Sequence, residues 1–477
     1  MIRSSFRGAL LWATILVVCS SATTALPQNP QDWGRLDGET LQHFQALVRL
    51  DTQNPPGNET RAVDYLQQVF EKEGIQVQRF ALEPARANLV ARLKGNGKKR
   101  PILLMAHTDV VTVEPSKWTF PPFGAVRDGG YIYGRGTLDT KQNVTAALMV
   151  MLTLKRLNVP LDRDVIFLAE AGEEGTTRVG IDYMVGEHFN DISSEFCLNE
   201  GGGVVREGGK VVYATIGTLE KVPRAVELTA RGPSGHASVP LKTNPVAHLA
   251  RAVAAVTDWE APVRLNETTR EYFRRMALVA PAKDAKYFRD VLSNDPKVVN
   301  AAVEYFENDA PRFAAILRTS VSPTIVQGGN RVNVIPSEAK ATLDIRMLPD
   351  EDVSELLDAL RRVVNDPAVS VDFAKRDGLP RPPGGTRLDT DAFRAIEASV
   401  KKHYDAVAVP SMGTGATDSA QLRAKGVHCY GIGPATDTED GPKGFGAHSD
   451  QERILESELY RFVHFYWDVV TDIARAK

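Results

Sequence analysis

The first half of the chain alternates between runs that are apolar throughout and stretches that are apolar on one side only. Residues 165–168 (VIFL) form a β-branched, apolar run, the composition of a strand buried on both faces. The run breaks at Gly172, just before two adjacent carboxylates, Glu173 and Glu174. The same form recurs at 101–106 (PILLMA), which leads into His107, Thr108 and Asp109, and at 195–199, which leads into Glu200 and three glycines. Residues 75–82 and 88–93 read as further strands. Between them, 60–73 places Ala62, Val63, Leu66, Val69 and Phe70 on one helical face and stops at Gly74, while 143–157 and 181–187 carry two more helical patterns. This alternation predicts an α/β fold, a mostly parallel sheet with helices on both faces.

After about Gly217 the pattern changes. Residues 224–230 (RAVELTA) alternate strictly, and 324–326, 341–346 and 369–373 read as strands of the same kind. Asn244 followed by Pro245 marks a helix start running to about Asp258, and 352–365 is a second helix. Two helices among antiparallel-looking strands predict a smaller α+β domain over 218–378, inserted into a larger unit formed by 28–217 and 379–477. Within the insertion, 266–320 is largely helical and carries no chemical motif, and 379–385 (LPRPPGG) reads as the linker back. A chain of 477 residues is long enough for two such cores.

Composition narrows the partner rather than the fold. Hydrophobic residues at 43% and charged residues at 25% are ordinary for a globular protein. A net charge of −3, without basic clusters interleaved with aromatics, argues against nucleic acid and for a small partner. Residues 1–25 stand apart: Arg3 and Arg7 precede an apolar run at 9–18, and small residues follow to Ala25. This is a secretory signal pattern with cleavage after Ala22 or Ala25, so an exported protein is expected, secreted or periplasmic. An uncleaved membrane anchor is the alternative, although the run is short for a span. Lipid attachment at Cys19 is disfavoured by the bulky Val18 before it. Cys197 and Cys429 form neither a disulfide framework nor a CxxC spacing and read as buried apolar residues.

The candidate chemistry lies where runs end. His107 and Asp109 stand two apart at a strand end, so both point the same way if the strand continues, and Asp109 can hold the second ring nitrogen of His107. Asp139 follows the glycine-rich turn GRGTLD and precedes a helix, where an N-cap is its ordinary role. His448 lies in the glycine-flanked loop GFGAHSDQER. Each is commonplace alone. Together His107, His448, Asp139, Glu173, Glu174 and Glu200 all fall at strand–loop junctions, where open α/β sheets build their sites. Mixed imidazole and carboxylate donors suit zinc and similar divalent ions. Five such ligands with one shareable Asp fit two metals about 3.5–4 Å apart, which can clamp a hydrolytic transition state.

These motifs resemble those of the M20 metallopeptidase family of carboxypeptidases, dipeptidases, aminoacylases and desuccinylases. The resemblance rests on AHTDVV at 106–111, GRGTLDTK at 134–141, AGEEG at 171–175, NEGGG at 199–203, GPSGHAS at 232–238, NVIP at 333–336 and GAHSDQE at 446–452. It implies that Asp139 bridges two Zn2+ ions, with His107 and Glu200 completing one site and Glu174 and His448 the other. Glu173 would be the general base taking a proton from the bridging water, and Asp109 would orient His107. In the inserted domain, now expected to be a lid or dimerisation domain, His236 would support the oxyanion, often that of a neighbouring subunit in a homodimer. Asn333 and Arg346 would hold the substrate carboxylate, and Thr417 with Asp418 would lie in a substrate-contacting loop. One position departs from the family: Thr140 stands where a second acid commonly follows the bridging Asp, and it brings no negative charge. The implied activity is hydrolysis of an amide next to a free C-terminal carboxylate, in a peptide or, as the alternative, in an N-acyl amino acid. A non-catalytic binding protein on the same fold is disfavoured because every ligand and the base are present.

Overall fold

Strands Ile102–His107 and Val165–Glu170, both apolar up to their last residue, lie side by side in a ten-stranded sheet. The computed structural model describes Met1, residues 32–375 and residues 381–476; apart from Met1, the expected export signal at 1–25 lies outside the described residues. From one edge the sheet runs Val77–Ala81, Ala87–Leu93, Val165–Glu170, Ile102–His107, Phe196–Asn199, His428–Gly431, Lys210–Glu220, Gly203–Glu207 and Ala435–Asp437, and Val407–Gly413 also pairs with Lys210–Glu220. The four strands from Val165–Glu170 to His428–Gly431 are parallel, with antiparallel pairs on either side.

Period-two geometry divides the apolar runs between two cores. Ile102, Leu104, Ala106, Val165, Phe167 and Ala169 face one cluster, and Leu103, Met105, Ile166 and Leu168 the other. Helices Trp33–Val48, Lys141–Arg156 and Glu456–Ala474 pack together over the first face, and Ile181–Glu187 and Ser419–Ala424 cover the second. Lys141–Arg156 is buried along nearly its whole length, which is why its sequence is apolar on more than one side. Cys197 and Cys429 are register partners on adjacent parallel strands, buried and unbridged.

The second unit is a four-stranded antiparallel sheet in the order Ser320–Gly328, Glu338–Met347, Val222–Arg231, Val369–Phe373. Helices Pro245–Asp258 and Val353–Val364 bury their apolar stripes on it. Both start as their sequences suggest: Asn244 accepts the N–H of Val246 at 3.0 Å, and Asp352 accepts those of Ser354 and Glu355 at 2.8 and 3.1 Å. The helical segment after Asn266 (Glu267–Val279, Ala282–Asp290 and Pro296–Asp309) behaves differently. Its core of Phe273, Phe288, Phe306 and Phe313 packs with Tyr213, Leu219, Val409 and Met412 of the large sheet, not with the four-stranded one. A third sheet of three short strands, Arg453–Leu455, Tyr131–Tyr133 and Val126–Asp128, joins two distant parts of the chain and carries the loops of the site.

Candidate metal centre

His107 and Glu170 are register partners at the carboxyl ends of neighbouring parallel strands, so the chain leaves both strands on the same edge. Glu173 and Glu174 follow in a turn that needs Gly172: its φ is +84°, and a Cβ there would lie 2.4 Å from the carbonyl oxygen of Thr176. Glu200 comes directly after Phe196–Asn199, the strand on the other side of Ile102–His107. Asp139 and His448 arrive from loops next to Tyr131–Tyr133 and Arg453–Leu455, which pair with each other.

These elements bring six side chains together. His107 Nε2 lies 3.1 Å from Asp139 Oδ1 and 3.3 Å from Glu200 Oε2. His448 Nε2 lies 3.0 Å from Asp139 Oδ2 and 2.8 Å from Glu174 Oε1. Asp139 therefore turns one oxygen to each histidine. It does not cap a helix: Lys141–Arg156 begins after Thr140, with no side-chain cap. The Asp139–Thr140 peptide bond is cis. Thr140 is buried beside Gln142, whose amide donates to its Oγ1 at 3.3 Å.

The imidazole of His107 is oriented by a backbone group. Its Nδ1 lies 3.0 Å from the carbonyl oxygen of Asp109, which only accepts, so Nδ1 carries the proton and the Nε2 lone pair faces Asp139 and Glu200. The Asp109 carboxylate is farther from Nδ1, at 3.5 Å. It instead accepts the backbone N–H groups of Glu173 (3.2 Å) and Glu174 (3.0 Å) and the Asn54 amide (2.8 Å), and so holds the acid pair in place.

A lone pair facing two carboxylates needs a cation or a proton between them. The electrostatics show the same deficit. Burial and the charges of Glu200 and Asp418 push the Glu173 carboxyl well above the usual range, and burial brings Glu200 up to about 7. Hydrogen bonds to Asp139 and Glu174 raise His448 to about 10. Burial opposes the charging of His107, but Glu200, Asp109 and Asp139 outweigh it and raise its pKa. The spacing fits as well: ligand atoms about 2.0–2.1 Å from one tetrahedral ion lie ~3.3 Å from each other, and His107, Asp139 and Glu174, like His107, Glu173 and Glu200, present donor atoms within 4.8 Å. The residues fit divalent metal ions.

A cavity of about 770 Å³ opens over these groups. Asp139, Glu173, Glu174, Glu200 and His448 line one side, and Leu138, Leu219, Ile432, Pro434 and Leu455 supply apolar wall. Thr417 also lines it and gives its N–H to Glu220, whereas Asp418 is fully buried and faces Arg381 rather than the opening. His236, Asn333 and Arg346 are not gathered here. His236 and Asn333 are exposed at a short two-stranded pairing of Gly235–His236 with Val334–Ile335, two segments distant in the chain, where the Asn333 carbonyl accepts the N–H of Ala237 at 3.0 Å. Arg346 pairs with Asp344 of its own strand at 3.0 Å. Two supporting residues lie outside the expected set of site residues, although Glu452 closes the GAHSDQE stretch. Glu452 accepts the N–H groups of Leu138 (2.7 Å) and Asp139 (3.2 Å), and Arg381 donates to Glu173 at 2.9 Å.

A doubly wound sheet with a histidine–carboxylate metal site at its carboxyl edge defines a metal-dependent hydrolase. The profile of peptidase family M20/M25/M40 matches residues 103–472, and the chain belongs to that family. It is 27% identical to a probable carboxypeptidase S-like protein of Dictyostelium discoideum, over 81% of this chain and 74% of that one. It is 30% identical to a human N-fatty-acyl-amino acid synthase/hydrolase, over 67% of this chain and 64% of that one. Among solved structures it shares the fold of an M20 family metallo-carboxypeptidase from Sulfolobus solfataricus, with a TM-score of 0.69, 21% identity and coverage of 91% and 98%.

Proposed function

We propose that this chain is an exported dizinc hydrolase that cleaves the amide bond next to a free C-terminal carboxylate, as a carboxypeptidase or dipeptidase. The observation that carries the reading is the Asp139 carboxylate, which offers one oxygen to the His107–Glu200 side and the other to the His448–Glu174 side. Two zinc ions held there would polarise the amide carbonyl and acidify a water. Glu173 takes the proton of the attacking water and returns it to the leaving nitrogen as the C–N bond breaks. Asp109 keeps Glu173 and Glu174 in register through their backbone N–H groups.

His236 is assigned to the developing oxyanion. Its Nδ1 accepts the N–H of Ser238 at 3.1 Å, which leaves the proton on Nε2, free to donate. Arg346 and Asn333 are assigned to the substrate carboxylate and Thr417 to the cleft wall. A homodimer would form through the four-stranded unit, whose edge strand Ser320–Gly328 exposes Ile325 and Val326. Mixing His236→Ala with Glu173→Gln protein tests a shared site: restored turnover supports it, and none in a proven exchanging dimer rejects it.

The apolar cavity wall and the relative that handles N-fatty-acyl-amino acids support a second reading, hydrolysis of N-acyl amino acids. Assaying the mature protein, before and after chelation, against C-terminally free peptides and N-acyl amino acids decides between them. Chelator-sensitive release of a C-terminal amino acid is expected, with about two zinc ions per chain. No turnover on either class would reject both.

A further inference from the structure

Arg381 stands in the segment that brings the chain back from the four-stranded unit to the large one, and it is 7% exposed. Its side chain reaches behind the metal centre: Nη2 donates to Glu173 Oε1 at 2.9 Å, and Nη1 lies 3.3 Å from Asp418 Oδ1. Asp418 is itself fully buried. The backbone of Arg381 is held too, since its carbonyl oxygen accepts from the Arg224 guanidinium at 3.3 and 3.4 Å. Pro382 and Pro383 follow, and their rings restrict the chain further. A planar guanidinium hydrogen-bonded to Glu173 through one arm, with the other arm facing the buried Asp418 charge, has few orientations open to it, whereas an untethered glutamate carboxylate samples several rotamers. Glu173 lines the cleft and Arg381 does not, so the arginine meets the base from the side away from substrate.

We infer that Arg381 is a positioning residue: braced against Asp418, it ties one carboxylate oxygen of Glu173 and leaves the other turned to the water that attacks the amide. The inference rests on the reading of Glu173 as the general base. It gives Asp418 an anchoring role in place of the substrate contact its loop suggests, and it gives Arg381 a task beyond linking.

The test is steady-state kinetics on the full, metal-loaded chain. Arg381→Met keeps most of the side-chain length and removes the fork. It should lower kcat about 10- to 100-fold, with KM within about twofold and metal content unchanged. Arg381→Lys should recover part of the loss, because an ammonium can reach the same oxygen without fixing the plane. In a Glu173→Gln background, Arg381→Met should lower the residual kcat no further, since nothing remains to be positioned. Wild-type kcat in Arg381→Met overturns the inference, as does a drop of the same factor in both backgrounds. If the methionine variant does not fold, a folded lysine variant with full kcat overturns it instead. Full turnover by Glu173→Gln would remove the base itself, a failure distinct from that of the positioning role.

Discussion

Replacing Glu452 by glutamine takes one negative charge from a site where three donors converge. Glu452 is fully buried and its partner Arg135 is 2% exposed, with 2.6 Å between Oε2 and Nη1. Its other oxygen accepts the N–H groups of Leu138 and Asp139. Both oxygens act as acceptors only, so the ionised form is the one the site uses. A glutamine keeps one acceptor and must turn an NH2 toward a donor, and it leaves the guanidinium of Arg135 buried without a counter-charge. What remains to Arg135 is a long contact to the His448 carbonyl at 3.4 Å and the face of Trp118 at 5.3 Å. Breaking a buried pair of this kind costs about 3–5 kcal/mol. At the lower end, with about 3 kcal/mol lost per molar urea, the unfolding midpoint falls by roughly 1 M. Because Glu452 also holds the loop that presents Asp139, the variant should lose metal on dialysis that the wild type survives. Urea titration and metal analysis of the dialysed protein make the test. An unchanged midpoint with full metal content would refute the reasoning. Removing the stranded charge as well, in Arg135→Met/Glu452→Gln, should cost less than the two single changes added together.

Glu173→Gln should lower kcat by about 10²–10⁴ while keeping its metal, measured by turnover and elemental analysis; retained activity would exclude it as the base. His107→Ala should lose metal and activity together, and a chelated wild type should regain activity with added zinc; activity in the metal-free protein would exclude the metal reading. Lys221 is 1% exposed, and burial pulls it down to about 8, from an unfolded value near 10.4. The folded state therefore binds fewer protons between those values, so the penalty is complete below pH ~8 and fades as pH rises toward ~10.4. Relative to Lys221→Met, the wild type should gain about 3 kcal/mol across that window in urea titrations; a constant difference would contradict the assignment.

His107, Glu173, Glu174 and Glu200 are legible in the sequence because an apolar run has a visible end, and in a parallel sheet such ends meet. The antiparallel strands are legible by alternation, and one helix by its Asn244-Pro245 start. Asp139 and His448 are legible through their motifs, but not how they meet: the pairing of Tyr131–Tyr133 with Arg453–Leu455 is too short to leave a period. Arg381 and Glu173 are 208 residues apart, and Glu452 and Arg135 are 317 apart. Contacts at that separation imprint no local pattern, so LPRPPGG reads as a linker, and Glu452 is legible as the end of GAHSDQE but not as the partner of Arg135. The helices after Asn266 announce apolar faces but not the surface that receives them, which proves to be the large sheet. Arg346 carries the family pattern, yet its guanidinium sits on Asp344, two residues away on the same strand.

Strand His428–Gly431 lies between Phe196–Asn199 and Lys210–Glu220, in the middle of the large sheet, although it comes long after both in the chain. A nascent chain lacking it has two unpaired strand edges facing a gap, and it also lacks His448. Such an intermediate is open to wrong edge-to-edge pairing and depends on chaperones or rapid completion.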